Sequence, residues 1–169
     1  MHVNHFAQKM RALLSVLLTC TIILNGCISS FETQANARLT MLKADLQNVP
    51  TIPGGELLDS QENIVPSRVP RCATVDISQL YGTNTLTFQE VIKWYTANLN
   101  SSEWRLNSVG AGGAVYTGSR EVSLGISDGY RWLPSMKKSV QQGQARFKTL
   151  FLVGLNAFVE PDMTLTRCT

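Results

Sequence analysis

The chain predicts an α+β fold: an antiparallel sheet of about five strands packed on one main helix (87–100), with a short N-terminal helix (35–48). Three features carry this prediction. Thr87 and Glu90 form a Thr-x-x-Glu start ahead of an apolar face at helical spacing. From Trp104 onward the hydrophobic pattern changes to period two, and glycine-rich stretches punctuate that half of the chain as hairpin turns. A chain of 169 residues holds one such domain, placed at 35–169, behind a targeting segment (1–26) and a tether (27–34).

Taken in order, Ala35, Leu39, Leu42, Leu46 and Val49 recur every three or four residues, and Pro50 stops the run. This stripe packs on the domain's own core or lies on a lipid surface; the pattern allows both. Pro53-Gly54-Gly55 marks a turn. Glu56 to Ser60 reads as a short strand, and 61–70, with Pro66 and Pro70, as irregular. Arg71 to Ile77 is a strand with Ala73, Val75 and Ile77 on one face and Cys72, Thr74 and Asp76 on the other. In the main helix Phe88, Val91, Ile92, Tyr95 and Leu99 form the apolar face. Strands follow at Trp104–Val109, Ala114–Thr117 and Glu121–Ser127, the last alternating Val122, Leu124 and Ile126 with polar or small residues. A loop is expected over 128–143, and then the longest strand, 145–159, apolar on both sides around Leu150 to Leu155 and so central in the sheet.

Composition narrows function. The chain is 44% hydrophobic and 16% charged, fewer charges than the usual fraction of about one quarter, which fits a folded domain. Lys9 and Arg11 supply two of the formal +3 charges, leaving +1 elsewhere, so no nucleic-acid footprint is present. Those two cations, the apolar run from Ala12 to Leu24 and the small residue before Cys27 make the three-part layout of a secretory signal peptide. The run is shorter than the roughly 20 apolar residues that span a bilayer.

Leu24-Asn25-Gly26-Cys27 resembles the lipobox of bacterial lipoproteins, with a branched apolar residue three before the cysteine and a small residue directly before it. The resemblance implies that Cys27 receives a diacylglyceryl group and becomes the first residue of the mature protein, with its amino terminus often acylated as well. Lipid burial contributes about 0.8 kcal/mol per methylene, and two chains anchor stably where one is marginal. The resemblance implies location in the cell envelope: in a host with two membranes the periplasmic side of the outer membrane, since Ile28 after the cysteine, rather than an aspartate, resembles the signal for forwarding there, and otherwise the outer face of the plasma membrane. The helix-and-sheet pattern also looks like modules in bacterial envelope lipoproteins, including accessory subunits of outer-membrane assembly machines; that analogy assigns no activity.

Processing at Cys27 removes Cys20 and leaves Cys72 and Cys168 in an oxidising compartment, as a disulfide or as two thiols. A bridge closes a loop of about 95 residues, worth about 4 to 5 kcal/mol in the chain-entropy model. Processing also removes His2 and His5, both of the chain's histidines. A Ser-His or Cys-His nucleophile and a histidine-bearing or four-cysteine zinc site are thereby excluded, and neither metal nor cofactor is expected. Paired carboxylates stay open: Glu121 with Asp128, and Glu56 with Asp59. Gly110 to Gly113 lacks the Gly-Lys-Ser/Thr ending of a phosphate loop and reads as a hairpin turn. Asn100-Ser101-Ser102 matches the N-glycosylation pattern and carries little weight in a bacterial lipoprotein.

One stretch combines residues enriched at interfaces. Tyr130, Arg131, Trp132, Lys137 and Lys138 interleave aromatics and cations in the expected loop, either as a partner-binding surface or as a cap on the sheet with solvated lysines. The function expected is a lipid-anchored binding or scaffolding module without catalytic activity. Its partner is an envelope protein or ligand. The alternatives are a small-ligand carrier with a pocket between helix and sheet, and a carboxylate hydrolase.

Overall fold

A computed structural model describes residues 32–66, 73–128 and 134–159. Helix α1 covers residues 32–47. Then come β1 (Glu56–Pro66), β2 (Ala73–Thr83), α2 (Phe88–Asn98), β3 (Trp104–Gly110), β4 (Gly113–Gly118), β5 (Ser123–Asp128), α3 (Lys137–Gln144) and β6 (Thr149–Val159). The class is α+β, with six strands in one antiparallel sheet of order β1-β2-β6-β5-β4-β3. Two runs of neighbouring strands, β1-β2 and β5-β4-β3, are joined by the last strand. Thus β6 is interior, as its two-sided apolar sequence predicts, and closes the sheet with pairs such as Val75 to Ala157 and Leu124 to Leu155.

The two faces differ because period two sends alternate residues to opposite sides. On the first face lie Val75 and Ile77 of β2, Leu124 and Ile126 of β5, and Phe151, Val153 and Leu155 of β6, all buried under α1 and α2. The α1 stripe does what the core reading requires: Ala35, Leu42 and Val49 are buried and Leu39 and Leu46 are partly so. In α2 the capping box is complete, with Glu90 N donating to Thr87 Oγ1 and Thr87 N donating to Glu90 Oε2 at 2.7 Å. Val91, Ile92 and Tyr95 of α2 enter the core, and Thr96 Oγ1 bonds the Tyr116 hydroxyl of β4 at 2.8 Å. On the second face α3 covers one end only, where Leu80, Leu150 and Leu152 meet Met136, Val140 and Phe147.

Several boundaries differ from expectation. The sheet has six strands against about five expected, and β1, expected to end at Ser60, continues into the segment expected to be irregular and ends at Pro66. As an edge strand it leaves one row of backbone groups outside the ladder, and a terminal proline is tolerated there. Polar residues on both faces around Gln61–Asn63 leave its second half without a period-two pattern. β2 continues past Ile77 to Thr83. β5 starts at Ser123, because Ser119–Glu121 form a 3₁₀ turn in which Arg120 and Glu121 take φ of 61° and 59°. Residues 145–148 precede β6 instead of opening it.

The expected loop at 128–143 contains α3 and the 3₁₀ turn Pro134–Met136. The sequence of α3, KKSVQQGQ, is too polar to announce a helix. Its Gly143 is buried against Leu58 and Leu150, where an added Cβ would lie 2.8 and 2.9 Å from their methyl carbons. A bulge between Leu57 and Asp59 in β1 aims Leu58 at this contact.

Candidate functional site

Helix α1 does not lie flush on the sheet along its whole length. Beneath its C-terminal half, a cleft of about 370 Å³ opens between α1, the β1-β2-β6 side of the sheet and α2, within the range of about 300 to 1,000 Å³ typical of small-ligand pockets. Ile77 and Val153 give it an apolar floor, and Tyr81 and Tyr95 supply aromatic walls. Gln79 and Ser60 add polar groups from neighbouring strands, with Gln47 and Thr51 on the α1 side. At the rim Lys43 Nζ lies 2.9 Å from Glu62 Oε2, both side chains nearly half exposed, so the two charges cancel in the open.

The aromatic wall is rigid for a physical reason. Tyr81 stacks on Phe151 with ring centroids 5.5 Å apart, and Tyr95 meets Phe151 and Trp94 edge to face at 6.3 and 5.1 Å. The Tyr81 hydroxyl donates to Gln79 Oε1 at 2.7 Å and thereby orients the amide. Burial raises the pKa of Tyr95 well above the ordinary phenol value, with a smaller push from Tyr81, and burial also raises that of Tyr81. Both phenols are neutral at physiological pH. The cleft therefore offers neutral donors and acceptors over an apolar floor, with no net charge at its rim.

Of the residues singled out in the sequence, Cys27, Cys72, Cys168, Tyr130, Arg131 and Trp132 lie outside the described residues. Lys137 and Lys138 are exposed in the first turn of α3. They stand on a helix, not in a loop. Of the carboxylates singled out, Glu56 and Asp59 each hold a partner on another element. Glu56 pairs with Arg146 at 2.8 Å, and Asp59 accepts from Ser139 Oγ at 2.6 Å, so both tie β1 to α3 and its C-terminal turn. Glu121 and Asp128 bracket the whole of β5, a separation of about 17 to 20 Å, beyond the roughly 9.5 Å limit for paired carboxylates.

Among the described residues no group of three or more His, Cys, Asp or Glu side chains is placed to hold a metal. Among them, too, no helix is long and apolar enough to cross a membrane. The Gly110 to Gly113 stretch is the β3–β4 hairpin, where a Cβ on Gly113 would strike the Ile126 carbonyl. Asn100 Oδ1 accepts from Ser102 N and Oγ at 3.1 and 2.8 Å, which gives that side chain a local turn-forming role.

Sequence reasoning missed the cleft residues themselves. Tyr95 reads as one more apolar position of α2, and Gln79 and Tyr81 lie beyond the expected end of β2. The available signal was the two tyrosines in otherwise apolar or alternating contexts, each carrying a polar tip that needs a partner or an opening. Fold and site together define a small open-sheet α+β protein with a neutral cleft between helix and sheet. Comparison of the chain with protein-family models, curated proteins and solved structures finds no match.

Proposed function

We propose that this is a lipid-anchored protein of the cell envelope that binds without catalysing, and that its binding site is the cleft between α1 and the sheet. One observation carries the reading: a cleft of about 370 Å³ combines an apolar floor, aromatic walls and a Gln79 amide held in place by Tyr81. With neutral phenols and a self-compensated rim, the ligand is small, polar and without net charge. Cys27 as lipid anchor, the signal peptide before it and an oxidised Cys72–Cys168 pair belong to this proposal and rest on the sequence.

Native mass spectrometry of the protein extracted from its own membranes tests the reading. A ligand mass of a few hundred daltons, retained when no partner protein is present and lost in Gln79→Ala, is the expected result. An empty protein under the same conditions would sink it.

The scaffolding reading has its own observation. Strand β3 is an edge strand exposed at six of its seven residues, including Leu106 and Val109, and Arg105 is its only charge. Such an edge is a template for strand addition. A protein crosslinked to β3 in native membranes, together with an empty cleft, would favour scaffolding.

A further inference from the structure

We infer that the end of the sheet carrying Val65 and Phe158 faces the lipid surface and touches its apolar region, which fixes the orientation of the domain on the membrane. The inference rests on the proposal that Cys27 carries the lipid.

Four residues lie between Cys27 and Glu32, the first described residue of α1, and the five steps at roughly 3.6 Å each reach at most about 18 Å. The N-terminal end of α1 is therefore held close to the bilayer.

The C-terminal turn of α1 lines the cleft beside Gln79 and Tyr81, and Lys43, nearer the helix start, pairs with Glu62, which is opposite Ile77. Still nearer the start, Arg38 donates to the carbonyl of Arg120, in the turn just before β5. Ser123, which opens β5, is level with Asn156, and Asn156 with Asp76. Read backwards, α1 runs along β2 from Tyr81 towards Ala73, so the anchor approaches the end where β1 and β6 finish and β2 begins.

Val65 is opposite Thr74, and Thr74 is opposite Phe158, so the three lie in one row on the second face. Val65 and Phe158 are each 51% exposed, and they stand two strand spacings apart, about 10 Å. Ile64, 38% exposed, continues the apolar surface around the edge strand. At the same end Arg120 is paired with Asp45, and Arg38 is bonded to the Arg120 carbonyl. Among the described residues, the surface that this end offers to the membrane is therefore apolar. Large apolar side chains brought within a short tether of a bilayer gain by burial in it.

Photocrosslinking in the full-length protein decides the matter. Benzoylphenylalanine replaces Phe158, Val65 or, as the control at the other end of the sheet, Val109, which is 59% exposed. The proteins are reconstituted in vesicles of phosphatidylethanolamine and phosphatidylglycerol, and the mass of the N-terminal peptide is measured in the same samples. Lipid adducts at positions 158 and 65, absent at 109, on a protein whose Cys27 peptide carries lipid, are the expected result. Lipidated protein with no lipid adduct at 158 and 65, or with equal adducts at 109, overturns the orientation and leaves the anchor standing. A Cys27 peptide without lipid removes the anchor, and the orientation with it.

Discussion

Leu42→Ala is the sharpest test of the packing on which the cleft depends. Leu42 is fully buried, near the middle of the α1 stripe, and α1 forms one wall of the cleft. Truncating a buried leucine removes transfer energy and leaves a cavity, at a cost of about 2.7 to 5 kcal/mol where the site relaxes little. The N-terminal helix is held to the sheet from one side only and is free to settle, so the lower part of that range, about 3 kcal/mol, applies. An unfolding entropy of about 2.1 cal/mol/K per residue gives about 0.28 kcal/mol/K for roughly 135 residues, so the midpoint falls by about 10 °C. Urea unfolding followed by circular dichroism supplies the free energy, and the denaturant slope must stay unchanged for it to count as a stability change. Leu39→Ala and Leu46→Ala, at partly buried positions, are expected to cost less. A loss below about 0.5 kcal/mol for Leu42→Ala, the level of an ordinary surface substitution, would show that α1 is not docked on the sheet, and the cleft would lose its wall.

Thr87→Ala removes the N-cap of α2 and is expected to cost about 1 kcal/mol in the same assay. Hydrogen bonds from the Thr87 backbone and side chain, aided by Lys93, lower the Glu90 pKa below its ordinary 4.5, so their stabilisation is present above that value and is lost as pH falls through the folded-state pKa; Glu90→Gln should flatten the melting temperature across that acid window. Tyr95 works in the opposite direction: its raised pKa means that stability is present below the ordinary phenol value of 10.0 and is lost as pH rises beyond it, and Tyr95→Phe should reduce that alkaline loss. Absorbance of tyrosinate near 295 nm, recorded alongside circular dichroism, should show one phenol appearing only with unfolding. Gly82→Ala drives a Cβ into the Phe147 ring and should destabilise by about 1 to 3 kcal/mol, and an additive double mutant with Phe147→Ala would disprove that contact.

What could be seen in the sequence follows from how strongly each segment is constrained on one face. The Thr87–Glu90 box, the stripe ending at Leu99, and the alternation of Val122, Leu124 and Ile126 were legible because a buried face imposes a period. β1 was only partly legible. It sits at an edge, carries Glu56, Asp59 and Glu62, and spends its side chains on Arg146, Ser139 and Lys43 rather than on a core. α3 was illegible for a related reason: it covers one corner of the sheet through Val140 and a glycine, so it needs no apolar stripe. The cleft depends on the spacing between α1 and β2, which no local pattern encodes. Tyr81 and Tyr95 lie on different elements, and both rest on Phe151 of the last strand.

That dependence on Phe151 links binding to folding. β6 completes the sheet between β2 and β5, and the same strand supplies the ring against which both cleft tyrosines rest. The tyrosine geometry therefore exists only after the longest-range pairing of the fold has formed. Helix α1 closes the other side, so a ligand that touches both Gln47 of α1 and Gln79 of β2 binds the docked helix and not the undocked one. Under the proposed function, occupancy at a hundred times the dissociation constant would stabilise this arrangement by about 2.7 kcal/mol. That is close to the cost assigned to Leu42→Ala, so saturating ligand should restore much of that variant's lost stability while its affinity for ligand is weakened.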